Sequence, residues 1–341
     1  MDYRNLGGTG VKVSKFCLGA MMFGSWGNTD EDDCIRITHA ALDAGINFID
    51  TADVYGEGGS EEILAKALKD RRDDVILATK CHLPMSKEPN HQGSSRRWII
   101  KSVEGSLKRL GTDYIDLYQI HRYQDGCDHA ETLGALSDMV HQGKIRYLGS
   151  STYPPSKVVE AQWVAERRNL ERFVCEQPPY SLLYRSIEAE MLPVIESYRM
   201  GAIAWGPLGG GWLSGRWRKG TTEMQSSRAD RIPHRYDLSK PANQRKLDAT
   251  EDLALLAEEA GLSLIHMALA FVANHPGITS PIIGPRTMEH LESQIGAADV
   301  TLSEDVLDRI DKIVPPGTNV TASDNGYVPP SILKKSLRRR A

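Results

Sequence analysis

The run Tyr114-Ile115-Asp116-Leu117-Tyr118-Gln119-Ile120 is short and almost continuously apolar. A polar loop follows it, then residues 131–142 with apolar positions at helical spacing, stopped by Gly143, and then the next apolar run, Tyr147-Leu148-Gly149-Ser150. A strand, a helix ended by glycine and a second strand of the same kind form one βαβ unit of a parallel sheet covered by helices. The same unit recurs in both directions. Toward the C-terminus, Pro155-Ser156 opens a helix to Asn169. Strands at 173–176 and 202–205 then flank a helix at 187–199, and strand 280–283 leads into a helix at 288–297. Toward the N-terminus, a helix at 95–110 ends at Gly111 and follows a strand at 75–79. Before that come a helix at 61–69 capped by Ser60, a strand at 47–50, a helix capped by Asp30 and ended by Gly45, and a first run at 16–20.

That makes eight strands, each followed sooner or later by a helix. Eight repeats favour a closed (β/α)8 TIM barrel, with an open doubly wound sheet as the alternative. The fold class is α/β, and residues 1–341 read as one barrel domain. Gly7-Gly8-Thr9-Gly10 turns an N-terminal β-hairpin that caps the barrel. It lacks the third glycine and the following helix of a dinucleotide fingerprint. About forty residues rich in Gly, Arg, Ser and Pro separate strand seven from the helix near Gln244. A loop that long is usually functional, and after a strand it lies on the catalytic face. An extra helix and tail complete the chain.

Side chains at the C-terminal ends of barrel strands converge on one mouth. Strand two ends in Phe48-Ile49-Asp50-Thr51-Ala52-Asp53-Val54-Tyr55-Gly56, strand three in Ala78-Thr79-Lys80, and strand four in Gln119-Ile120-His121. Taken alone, Asp50 could cap a turn, Tyr55 could line a pocket, Lys80 could be a surface charge and His121 a core histidine. Together they supply a carboxylate, a phenol, an ammonium and an imidazole from three consecutive strands. A phenol is a poor acid near neutrality, a neighbouring ammonium stabilises phenolate, and a carboxylate holds the ammonium charged. An imidazole can then donate to a carbonyl oxygen. The set suits proton donation to a carbonyl that receives hydride from elsewhere.

These residues resemble the tetrad of the aldo-keto reductase superfamily, closest to its potassium-channel β-subunit-like and bacterial oxidoreductase branch. The resemblance implies that Tyr55 is the proton donor, Lys80 stabilises its phenolate, Asp50 pairs with Lys80, and His121 orients the substrate carbonyl. It implies an NADP(H) cofactor, with NAD(H) second, since no metal or flavin pattern appears to supply the hydride. Cofactor contacts are then expected from Gly19, Met21 and Asp50, and from Ser151, Thr152 and Gln177 around the carboxamide. Thr152 stands where many relatives have Asn or Arg. Trp205 would stack on the nicotinamide. Gly206-Pro207-Leu208-Gly209-Gly210-Gly211 would bring backbone N–H groups to the pyrophosphate, or else form a flexible lid. Arg216 and Arg228 match a basic clasp, and Gly284-Pro285-Arg286-Thr287 matches the site for the adenosine 2′-phosphate, with His290 and Gln294 standing where relatives usually have Arg or Gln and then Asn. The reading is an NADP-dependent reductase of small-molecule aldehydes or ketones, or of alcohols in reverse, whether monomer or oligomer. The alternative is a nicotinamide-binding redox-sensing or regulatory subunit with slow turnover.

Composition narrows the classes. With 41 Lys+Arg against 45 Asp+Glu, the net charge of −4 gives no global reason to bind nucleic acid or anionic membrane. Five scattered cysteines without a CxxC pair argue against a disulfide scaffold or zinc site and for a reducing compartment, the cytoplasm. Cys81-His82 and Cys127-Asp128-His129 read as surface loops. Met22, Trp26, Trp98 and Tyr123 read either as apolar walls of the mouth or as ordinary packing. Residues 253–273 look like a helix-turn-helix, but Leu264, Ile265 and Met267 stand where a DNA reader needs basic residues.

Overall fold

A computed structural model describes residues 1–221, 229, 231–324 and 326–338. A hairpin pairs β1 (Tyr3–Asn5) antiparallel with β2 (Lys12–Ser14). Eight parallel strands follow: β3 (Cys17–Gly19), β4 (Phe48–Asp50), β5 (Ile76–Cys81), β6 (Ile115–Ile120), β7 (Ile145–Ser151), β8 (Phe173–Gln177), β9 (Gly201–Ala204) and β10 (Ser280–Ile283). β10 pairs with both β9 and β3, so the sheet closes into a barrel and the open-sheet alternative falls.

Side chains alternate between the two faces of each strand. One set forms a separate apolar cluster of Cys17, Phe48, Ala78, Leu117, Cys175 and Ile203, one residue from each of six strands. Leu6 and Val13 of the hairpin join this cluster, which puts the hairpin under the barrel floor. The larger apolar cluster lies between the strands and the helices outside them.

The hairpin is seated through Gly7, whose φ is +55°; a Cβ there would sit 2.6 Å from both the Arg199 carbonyl oxygen and the Gly201 nitrogen. Gly7→Ala should therefore destabilise the protein by about 1–3 kcal/mol, from strain and overpacking together. Equilibrium unfolding in urea checks this, and an unchanged midpoint would mean the hairpin is not clamped to the start of β9.

Several local expectations change. Ser60 does not cap its helix. The helix is Gly59–Ala67 with left-handed Gly58 as N-cap, and the Ser60 hydroxyl donates inward to the Ala20 carbonyl at 2.8 Å. The following Glu61 is fully buried, so the chain turns these two polar residues toward the barrel. The long loop is not structureless among the described residues. Trp212, Trp217 and Tyr236 stack with centroids 4.3–5.7 Å apart, and the Tyr236 hydroxyl donates to the Gly210 carbonyl at 2.8 Å. The next helix starts three residues before its expected position, at Pro241–Glu259. It meets Leu264–Asn274 at 94°, and the second helix buries Leu264 and residues 267–273 in the core, which leaves no reading face for DNA. The helix after β10 is Met288–Ile295, and the chain tightens to a 3₁₀ turn before Asp299. No single helix among the described residues is long and apolar enough to cross a membrane.

Candidate active site

The mouth follows from the interior layer by counting two residues along each strand. Phe48 leads to Asp50, Ala78 to Lys80, Leu117 to Gln119 and Cys175 to Gln177, so apolar filling gives way to a polar ring. Lys80 pairs in register with Gln119, and Ser151 with Gln177. Lys80 is wholly buried. Its ammonium donates to Asp50 Oδ1 at 2.6 Å, to the Thr51 carbonyl at 2.7 Å and toward the Tyr55 hydroxyl at 3.4 Å. The amides of Gln177 and Gln119 donate to Asp50 Oδ2 at 2.8 and 3.1 Å, so both carboxylate oxygens are engaged. Gly149 makes room for Gln119, because a Cβ there would lie 2.9 Å from the Gln119 Cγ.

Burial opposes the charge on Lys80, but Asp50 and Tyr55 outweigh it and hold the ammonium above its usual range. His121 is driven the other way. Burial, then the charges of Lys80 and Arg122, hold it well below the usual imidazole range, so it is neutral near pH 7. Its ring stands edge-on to Tyr55, centroids 5.6 Å apart at 81°, and its buried Nδ1 has no partner among the described residues. A neutral imidazole, a phenol and an ammonium therefore face one small volume. Trp26 closes one side at 5.7 Å from the Tyr55 ring, and Arg231 of the long loop reaches over Trp26 at 5.1 Å.

The expected cofactor residues divide into two groups. At the mouth, the Trp205 indole donates to Thr152 Oγ1 at 3.2 Å, Arg122 donates to the same oxygen at 3.1 Å, and Ser151 donates to the Gln177 carbonyl at 3.0 Å. Gly19 ends β3, and Met21 lies half-buried in the turn after it. Gly206, Pro207, Leu208, Gly209 and Gly211 wind away from Trp205 through 3₁₀ turns. A Cβ at Gly206, Gly211 or Gly284 would meet nothing within 4 Å, so backbone there borders open space. Farther out, Arg216 and His290 approach to 3.4 Å between side-chain nitrogens. Burial, then Arg216 and Arg286, hold the His290 imidazole low, the mark of an electropositive corner. Gln294 is buried, and its Oε1 has no partner among the described residues. Arg228 lies outside the described residues.

Three residues here escaped the sequence reading. Gln119 faces the ring because it lies between Leu117 and His121 on one side of β6, and strand alternation alone would have found it. Arg122 crosses to Thr152 and sits over Trp205, 5.8 Å from its ring centroid. Glu176 accepts from the Ser150 hydroxyl and the Tyr153 N–H, and burial pushes its carboxyl up to about 7. Two expectations about minor residues fail, because Cys81 and His129 are buried, not surface residues. Trp98 follows the packing alternative, on the buried face of the helix Arg96–Leu110 and stacked on His91. No cluster of three metal-ligating side chains occurs among the described residues.

A closed parallel barrel with a buried Asp–Lys–Tyr–His centre at its mouth defines a barrel oxidoreductase. The chain belongs to the aldo/keto reductase family, whose model matches residues 15–315. Enzymes of the family use NAD(P)H and act on small-molecule carbonyl compounds. The chain is 40% identical over 329 residues to the uncharacterized oxidoreductase YrpG of Bacillus subtilis, covering 92% of this chain and 96% of that protein. It is 36% identical to the aldo-keto reductase YhdN of the same species, covering 90% of this chain and 92% of that one. A probable voltage-gated potassium channel subunit beta of Oryza sativa subsp. japonica is 35% identical, with 92% and 97% covered.

Proposed function

We propose that the chain, acting as one unit in the cytoplasm, is an NADP(H)-dependent reductase that converts an aldehyde or ketone to its alcohol. The observation that carries this reading is the buried Lys80 ammonium, which touches Asp50 and Tyr55 at once. When bound, the cofactor supplies the hydride to the carbonyl carbon. Tyr55 gives its proton to the carbonyl oxygen, and Lys80 stabilises the phenolate left behind. Asp50, anchored by Gln119 and Gln177, keeps Lys80 charged and in place. Neutral His121 orients the carbonyl without carrying a competing positive charge. Trp26 and the loop over it shield the reacting atoms from water.

The residues suit the cofactor. Trp205, tied to Thr152, offers a flat partly exposed ring for the nicotinamide, and Ser151 and Gln177 stand beside it for the carboxamide. The open glycine backbone after Trp205 fits a pyrophosphate. Arg216, Arg286 and His290 form a corner suited to a 2′-phosphate, and the orphaned Gln294 Oε1 suits an adenine amino group. Arg228 is assigned to the same clasp by sequence alone.

NADPH should be oxidised on addition of a reactive aldehyde or ketone, and NADH far more slowly. Arg286→Ala should weaken NADPH binding about tenfold or more, the loss of a charge-assisted pair, while leaving NADH binding nearly unchanged. Equal losses for both cofactors in a fluorescence titration would sink the 2′-phosphate assignment. Tight NADPH binding without turnover of any carbonyl in a panel would favour the regulatory reading, to which the potassium channel relatives lend weight.

A further inference from the structure

Behind the Asp50–Tyr55 loop lies a second buried acid site. Asp53 is 1% exposed, and neither of its oxygens finds a hydrogen-bond partner in good geometry among the described residues. Its own N–H donates to the Lys80 carbonyl at 3.1 Å, which ties it to the strand that carries the ammonium. Glu61, also fully buried, accepts from Thr79 Oγ1 at 2.6 Å and from Arg109 Nε at 2.7 Å.

The charges in this region can be counted. Asp50, Asp53 and Glu61 are three carboxyls; among the described residues Lys80 bonds to Asp50 and Arg109 to Glu61. Lys80 is engaged by Asp50 and Tyr55, and Arg109 by Glu61, so among the described residues no cation is hydrogen-bonded to Asp53. A buried carboxylate without a partner is far costlier than a buried neutral acid. The other titratable groups that face Asp53, Cys81 and Tyr118, cannot compensate, because burial pushes both up and keeps them neutral.

We propose that Asp53 is a positioning residue for Tyr55 and Lys80, working as a neutral carboxylic acid that completes the charge balance behind the proton donor. The proposal rests on the reading of Tyr55 as that donor. Burial, then the charge of Glu61, push the Asp53 carboxyl up to about 8, against weaker pulls from Arg109, the Val54 N–H and Lys80. Above that pH a third negative charge appears behind Lys80. It competes with Tyr55 for the ammonium, makes phenolate harder to form, and lowers kcat for reduction more than it alters KM for the carbonyl.

Two independent measurements test this, with Asp53→Asn as isostere of the neutral acid. The first is thermal unfolding of the full chain without cofactor. An acid that titrates near 4 when unfolded and about 8 when folded makes the fold progressively less stable as pH rises between those values. The melting temperature of Asp53→Asn should therefore gain on wild type from pH 5 to pH 8 and level off above. The second is the ratio of kcat at pH 9 to kcat at pH 7. Wild type should lose about tenfold, as expected one unit above an essential acid's pKa, and Asp53→Asn less than about threefold. Should Asp53→Asn fail to fold, Glu61→Gln frees Arg109 for Asp53 and should move the wild-type limb below pH 8. A pH-independent difference in melting would overturn the buried neutral acid. A pH-dependent melting difference with unchanged rate ratios would overturn the positioning role. Absence of turnover in wild type would sink the functional reading and leave the melting test standing.

Discussion

Tyr55→Phe should lower kcat for carbonyl reduction by about 10²–10⁴-fold, the usual contribution of a positioned general acid. Cofactor binding should change little, because Trp205 and Thr152, both assigned to the nicotinamide, bond to each other and not to Tyr55. Folding should be nearly unaffected as well. The ring keeps its contacts with Trp26 and His121, and the hydroxyl gives up only a long 3.4 Å approach from Lys80. The loss should fall on kcat, since the proton is needed only as charge develops on the carbonyl oxygen. His121 does not replace the phenol, because its neutral ring orients the carbonyl without releasing a proton easily. Single-turnover oxidation of bound NADPH separates the chemical step from product release. Wild-type rates in the variant would remove Tyr55 from the mechanism.

How much of this site was legible before the structure depends on which interaction sets each residue's place. Asp50, Lys80 and His121 occupy strand ends, and strand ends are marked by the switch from apolar runs to polar residues. Gly45, Gly111 and Gly143 marked helix ends for an equally local reason, a backbone that needs positive φ. Glu61 and Ser60 look from sequence like the exposed first turn of a helix. Only the barrel wall beside them turns them inward, with Thr79 and Ala20 as partners. Asp53 lies between Asp50 and Tyr55 yet carries no sequence signal of its own. Its character comes from a shortage of nearby cations, and Arg109, 56 positions later in the chain, decides that shortage. Gln119 is placed by strand alternation alone, two residues from both Leu117 and His121. Arg122 turned toward Thr152 because the adjoining strand ends converge at the mouth, a tertiary fact.

The other large effect is expected at the buried ion pair. Lys80→Met should destabilise the protein by roughly 3–5 kcal/mol, because it leaves Asp50 charged in a site closed to water. Gln119 and Gln177 still donate to Asp50 Oδ2, but Oδ1 loses its only side-chain partner among the described residues. The variant should also lose reductase activity by at least about 10²-fold, since nothing then stabilises the phenolate of Tyr55. The two losses have different origins, and a double variant separates them. Asp50→Asn with Lys80→Met removes both charges at once, and an asparagine at position 50 can still accept from the two glutamine amides. Replacing both members of a buried pair is far milder than orphaning one. The double variant should therefore be more stable than Lys80→Met alone, a coupling readable by denaturant unfolding of all four proteins. Its activity should stay as low as that of the single variant, because catalysis needs the ammonium itself and not merely a balanced charge. Strictly additive stabilities would mean that Asp50 and Lys80 do not act as a pair, and recovery of activity with stability would mean that Lys80 only holds the barrel together.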